Sequence, residues 1–261
     1  MHFLTIGQRR YAQFERLRQV PELIHAFSLR PNDLSPRPDA RRAERSARRR
    51  QMAGDFNLNA DRLCACGQVH GDRVAVVDAT TAGRLLDGFD AAVTNAPALP
   101  LMAFSADCPL VLLYDPRRAA IGVVHGSWRC TVAQLAARAV EALRRSFGSD
   151  PNTLLAGIGP GAGPCCYEVK QDVFVAAARL PQPERLFTQR AGKLFFDLWE
   201  ANRAQLLAAG VPDEQIEIAG LCTLCRNDLF YSYRREGPGC GHFGLLAALV
   251  GKTDSANSAG D

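Results

Sequence analysis

Three side chains that could do chemistry sit where loops meet strands: Cys108, His125 and His70. Two short apolar runs, residues 110–114 and 119–124, are split by Asp115-Pro116-Arg117-Arg118, which reads as two strands joined by a tight polar turn. Cys108 lies just before the first run and His125 just after the second. In a hairpin the start of one strand lies opposite the end of the other, so the thiol and the imidazole share one end of a sheet. Gly126 leaves room beside the histidine. His70 stands upstream in Gln68-Val69-His70-Gly71, where a loop enters a strand expected at residues 73–77.

Two imidazoles and one thiolate are three ligands of the type that open zinc sites use, with a fourth position left for water or substrate. The spacings, 38 and 17 residues, match no zinc finger. If the trio holds a metal, zinc suits it, at about one per chain, with copper able to substitute in vitro. Without a metal, Cys108 would be a thiolate nucleophile and His125 its base, the chemistry of cysteine hydrolases and deamidases. A type 1 and trinuclear copper set is excluded, since the chain has five histidines and no H-x-H. Asp107, beside Cys108, is a candidate proton carrier, and equally a strand-end cap. Arg129, four residues after His125, is a candidate for holding an anionic substrate group, as are the arginines of residues 41–50. Cys222-x-x-Cys225 and Cys64-x-Cys66 are unlike half-motifs for a four-thiolate site. The pair Cys222 and Cys225 is expected instead to be structural, buried and metal-free, beside a strand at residues 230–235.

The elements that must position these residues alternate irregularly. Strands are expected at 25–28, 91–94, 101–104, 154–158 and 216–219. Thr131 and Gln134 form a T-x-x-Q capping box opening a helix over 132–147, with Gly148 as its stop. Further helices are expected at 39–52 (Asp39 as N-cap), 167–180, and from Asp197 to Gly210. Gly159-Pro160-Gly161-Ala162-Gly163-Pro164 lacks the order of a phosphate loop and reads as a rigid loop. The pattern argues for an α+β or layered α/β fold rather than a regular Rossmann alternation.

Hydrophobic content of 47% and charged content of 22% suit a globular enzyme. No apolar run reaches the roughly 20 residues needed to span a bilayer, and the first residues lack a signal-peptide core, so the expected address is the cytoplasm. Nine cysteines, an odd number in a chain this long, do not form a secreted disulfide scaffold. The net charge of +4 is local: Arg41, Arg42, Arg45, Arg48, Arg49 and Arg50 stand against one glutamate. A nucleic-acid-binding module built on that 41–50 helix is the third hypothesis and leaves the placement of Cys108 and His125 unexplained.

The motifs QVHG, SADCPLVLLYD, VVHGSWRCT, GIGPGAGPCCYEV, LCT and FYSYRR fall in the order seen in the YfiH-like family, also called laccase-domain or polyphenol-oxidase-like. The resemblance covers residues 23–250. It implies a single catalytic domain over 1–251, a layered sandwich of mixed β-sheets flanked by helices; residues 252–261, small and polar, read as a disordered tail. It also implies that His70, Cys108 and His125 form a metal-binding catalytic trio. The activity implied is zinc-dependent phosphorolysis of adenosine, inosine, guanosine and methylthioadenosine, with adenosine deamination beside it; the partners are then a purine nucleoside and phosphate, with no membrane. Some members are linked to cell-wall precursor editing, which keeps the Cys-His hydrolase reading open. The chain departs from the family at three places. The usual H-A-G-W-R-G is His125-Gly126-Ser127-Trp128-Arg129-Cys130, the glycines after Ser28-Leu29-Arg30 are missing, and the usual Gly-Arg is Gly241-His242.

Overall fold

The computed structural model describes residues 1–250; the expected tail at 252–261 lies outside them. Two large sheets pack face to face. The first has seven strands, in the order His2–Ile6, Arg9–Gln13, Leu23–Ser28, Phe243–Leu249, Leu101–Ser105, Cys64–Gly67 and Leu85–Asp87. The second has six: Ile216–Ile218, Leu155–Ile158, Leu110–Asp115, Ala120–His125, Ala91–Thr94 and Val74–Val76.

Side chains alternate across each strand, and here both faces are covered. Leu110, Leu112 and Tyr114 point between the sheets with Phe27, Ala103 and Leu245. Val111 and Leu113 face outward onto Leu135, Ala139, Val140 and Leu143 of the helix Leu135–Phe147. On the opposite side Met102, Phe104 and Leu246 pack on Met52 and Ala53 of the helix Arg42–Asp55. The result is four layers, helix–sheet–sheet–helix, of α+β class. Burial on both faces is why the 110–114 and 119–124 runs are continuously apolar rather than alternating.

The hairpin is as expected: Leu110–Asp115 and Ala120–His125 pair antiparallel, with His125 opposite Leu110. Other expectations are corrected. Thr131 and Gln134 do not form a capping box. Ser127 caps a short helix, Trp128–Val132, by accepting the Cys130 N–H, and Gln134 is a left-handed hinge (φ 60°) before Leu135–Phe147. Asp39 is not the N-cap of the arginine helix, which starts three residues later at Arg42; its carboxylate takes the Arg41 N–H and the Arg45 guanidinium instead. The helix at 167–180 shrinks to Gln171–Ala177, because Glu168–Val169 pairs with Lys193–Phe196 in a third, three-stranded sheet. Residues 230–235 are not a strand. The Ser232 side chain accepts the Arg235 N–H and Glu236 accepts the Ser232 N–H, and this reciprocal cap starts the helix Tyr233–Glu236. Among the described residues no helix is long and apolar enough to cross a membrane.

Candidate metal and nucleoside site

After Ser105 the chain leaves the first sheet, turns at residues 106–109 and enters the second as Leu110–Asp115. That turn carries Cys108 to the end of the sandwich where His125 finishes its strand. The glycine-rich run packs against the turn: a Cβ on Gly161 would lie 2.8 Å from Pro109 N and 2.9 Å from Asp107 O. Gly126 is equally confined, since a Cβ there would lie 2.8 Å from Pro109 O. These glycines serve close backbone approach, not phosphate binding.

Gln68 holds the third residue in place. Its side-chain amide accepts the Phe104 N–H at 2.7 Å and donates to Phe104 O at 2.9 Å, extending the ladder of the Leu101–Ser105 strand. His70 follows in a left-handed conformation (φ 61°), and its ring meets that of His125 edge-on at 4.8 Å. One donor atom from each of His70, Cys108 and His125 lies within 4.8 Å of the other two. The sequence-derived trio is thus brought together.

Asp90, which no motif singled out, is the missing partner. It is fully buried and accepts the N–H groups of Val69, His70 and Gly71 at 3.0, 3.0 and 2.8 Å. It also accepts the His125 Nδ1–H at 2.8 Å. Burial alone would raise the Asp90 carboxyl, but the His125 hydrogen bond and these amides outweigh it and hold it well below the carboxylate range. With Nδ1 committed as a donor, His125 keeps Nε2 as its free lone pair, the usual arrangement behind a metal-ligating histidine. Burial, with His125 beside it, pushes His70 below the usual imidazole range and so favours the neutral ligand form. Burial pushes the Cys108 thiol up, as do the neighbouring Asp107, Cys130 and Asp90.

The trio lines a cleft of about 390 Å³ whose walls include Phe104, Tyr167, Tyr233, Arg37, Arg234 and His242. Asp107 also lines it, but both its carboxylate oxygens are engaged, by the Thr223 hydroxyl at 2.6 Å and the Arg234 N–H at 2.7 Å. Arg129 does not line the cleft. It is exposed and stacks over Trp128 at 4.4 Å. None of the six arginines of residues 41–50 lines the cleft either; Arg45 is buried and holds the carbonyls of Ser35 and Arg37. The cationic walls are Arg37 and Arg234, which no spacing argument singled out. Cys64 and Cys66 are buried in the core, away from Cys222 and Cys225. Cys225 is exposed, contrary to expectation.

The chain matches, over residues 33–251, the family described as multi-copper polyphenol oxidoreductase laccase. It is similar to a purine nucleoside phosphorylase of Bacteroides thetaiotaomicron, 38% identical over 157 residues; the match takes in 59% of this chain and 58% of that relative's length. It is similar also to adenosine deaminase RL5 from an unknown prokaryotic organism, 32% identical over 196 residues, covering 71% of this chain and 74% of that one. The crystal structure of YlmD from Geobacillus stearothermophilus superimposes with a TM-score of 0.87 at 25% identity, covering 95% of this chain and 99% of that one. A layered α+β sandwich with a His/Cys trio at the turn between its sheets defines the class. Within it, the chain belongs to the laccase-domain, YfiH-like family.

Proposed function

We propose that this chain is a zinc-dependent purine nucleoside enzyme, cleaving adenosine, inosine, guanosine and methylthioadenosine with phosphate and deaminating adenosine more slowly. The observation that carries the reading is the convergence of His70, Cys108 and His125 within 4.8 Å at the wall of a cleft that also presents Arg37 and Arg234. Two imidazoles and one thiolate suit zinc better than magnesium or calcium, and the donor set fits, because Asp90 takes the proton-bearing Nδ1 of His125. A zinc held there by His70, Cys108 and His125 would supply a Lewis acid and would lower the pKa of a bound water.

The chain's own residues divide the remaining work. Phe104, Tyr167 and Tyr233 offer aromatic surface for a purine ring. Arg37 and Arg234 offer guanidinium groups for phosphate. In phosphorolysis a phosphate oxygen bonds to C1′ of the ribose while the C1′–N bond breaks, and the base leaves with the electron pair and takes a proton. In deamination water adds at C6 of adenine and ammonia leaves. Asp107, with both oxygens bonded, positions the Arg234 backbone rather than carrying protons.

The order Cys108, His125, Asp90 also resembles a nucleophilic triad. A triad has no use for the His70 ring 4.8 Å from that of His125, whereas a three-ligand site does, so ligation is the better use of Cys108. A nucleoside panel with phosphate, scored for free base by chromatography, tests the proposal. Release of adenine or hypoxanthine supports it, and no product from any purine nucleoside overturns it.

A further inference from the structure

Four cysteines that the nucleoside site does not use meet elsewhere. The Sγ atoms of Cys165, Cys166, Cys222 and Cys225 all lie within 4.8 Å of one another, and none of the four lines the cleft. Cys225 is 3.8 Å from Cys165 and 3.5 Å from Cys166, sulfur to sulfur. Four sulfurs placed tetrahedrally at about 2.3 Å from a zinc ion are separated by about 3.8 Å. A disulfide needs about 2.05 Å, and all four cysteines are free. The spacing is that of ligands around an ion.

The surroundings supply hydrogen-bond donors and positive charge. Cys222 Sγ accepts the Gly163 N–H at 3.3 Å, and the Arg226 N–H closes Cys222-Thr223-Leu224-Cys225 into a turn by donating to the Cys222 carbonyl at 2.8 Å. The Arg190 guanidinium donates to the carbonyls of Pro164 and Cys165 at 2.6 and 3.2 Å. The Arg235 guanidinium donates to the Leu224 carbonyl at 2.7 Å. A four-thiolate zinc carries net negative charge, and these two cations flank it. Core filling does not explain the cluster, because Cys165 and Cys225 are exposed.

We propose that Cys165, Cys166, Cys222 and Cys225 hold a second zinc ion, a closed four-thiolate site that staples residues 159–167 to residues 221–226. The two segments already touch through the hydrogen bonds Gly161 N–H to Leu221 O at 3.2 Å and Thr223 N–H to Gly161 O at 3.0 Å. Both bear on the cleft: Tyr167 follows Cys166 directly, and the Thr223 hydroxyl holds Asp107. With four protein ligands no position is open, so the role is structural. The site thereby fixes the Tyr167 and Asp107 side of the nucleoside pocket without touching substrate.

The test is zinc content by mass spectrometry on full-length protein, purified under reductant, saturated with zinc and desalted. The wild-type chain is expected to hold about two zinc ions, and Cys108→Ala and Cys165→Ser/Cys225→Ser about one each. The combined variant should hold about none. Cobalt loaded into Cys108→Ala should give the intense sulfur-to-metal charge-transfer absorption of a four-thiolate site, lost in the combined variant. The Cys165→Ser/Cys225→Ser change falls on exposed residues, and the Cys108→Ala measurement reads the cluster with its cysteines intact. Equal zinc in wild type and Cys165→Ser/Cys225→Ser, or no thiolate absorption in cobalt-loaded Cys108→Ala, overturns the proposal. Neither result depends on whether any nucleoside is turned over.

Discussion

Asp90 and His125 are joined twice. The Asp90 carboxylate accepts the His125 Nδ1–H at 2.8 Å, and the Asp90 carbonyl accepts the His125 backbone N–H at 2.8 Å. The same carboxylate gathers the amides of Val69, His70 and Gly71, so one buried side chain aligns two of the three members of the trio.

Asp90→Asn keeps the shape but replaces one carboxylate oxygen with an amide donor that faces amide donors. It is expected to weaken zinc binding at the trio about 10–100-fold, as loss of a partner behind a metal-ligating histidine does. Competition with a chromophoric chelator measures this. Unchanged affinity would mean that Asp90 serves folding alone.

Much of this site was legible in the sequence. The hairpin register followed from two apolar runs and a polar turn, and it put Cys108 and His125 together. His70 was legible as a loop-to-strand residue, although only the fold brings its ring to His125. Asp90 was hidden because its role is long-range: it sits in a turn and acts 35 residues away. Arg37 was hidden by the crowd of arginines after it, where composition drew attention to a helix whose buried Arg45 only holds the loop that carries Arg37. The expected strand at 230–235 failed because aromatic residues favour strands on average, while Ser232 and Glu236 supply a local cap that outweighs the average. The meeting of Cys165 and Cys166 with Cys222 and Cys225 depends on tertiary packing and leaves no trace in spacing.

Zinc binding at the trio should strengthen with pH. Cys108 is held protonated by burial and nearby acids, whereas His70 is biased toward its neutral form. The thiol proton must leave when the metal binds, and the affinity is expected to rise about tenfold per pH unit between pH 6 and 8, with about one proton released. Titration calorimetry of the Cys165→Ser/Cys225→Ser protein, in buffers of different ionisation heat, reads the proton count. A flat profile would mean that Cys108 is already a thiolate.

Gly161→Ala should be destabilising beyond its size. The new Cβ meets backbone atoms of Asp107 and Pro109 rather than a movable side chain, so the turn carrying Cys108 must shift. The expected cost is about 1–3 kcal/mol, seen as a lower Tm together with weaker zinc binding. A normal Tm with normal zinc affinity would show that the turn has slack.

Arg37→Ala is expected to raise the phosphate KM about tenfold or more, the scale of one lost charge-assisted hydrogen bond. Arg129→Ala, removing an exposed guanidinium stacked on Trp128, should change it little. Initial rates at varied phosphate separate the two. The reverse ranking would return phosphate to the rim of the cleft.

The most direct measurement is product chromatography on zinc-replete protein given adenosine, with and without phosphate, for the wild type and Cys108→Ala. With phosphate the wild type should yield adenine and ribose 1-phosphate, and without it a slower stream of inosine; both should vanish together in Cys108→Ala, since one site serves both. Adenine or inosine formed at the wild-type rate by Cys108→Ala would contradict the account.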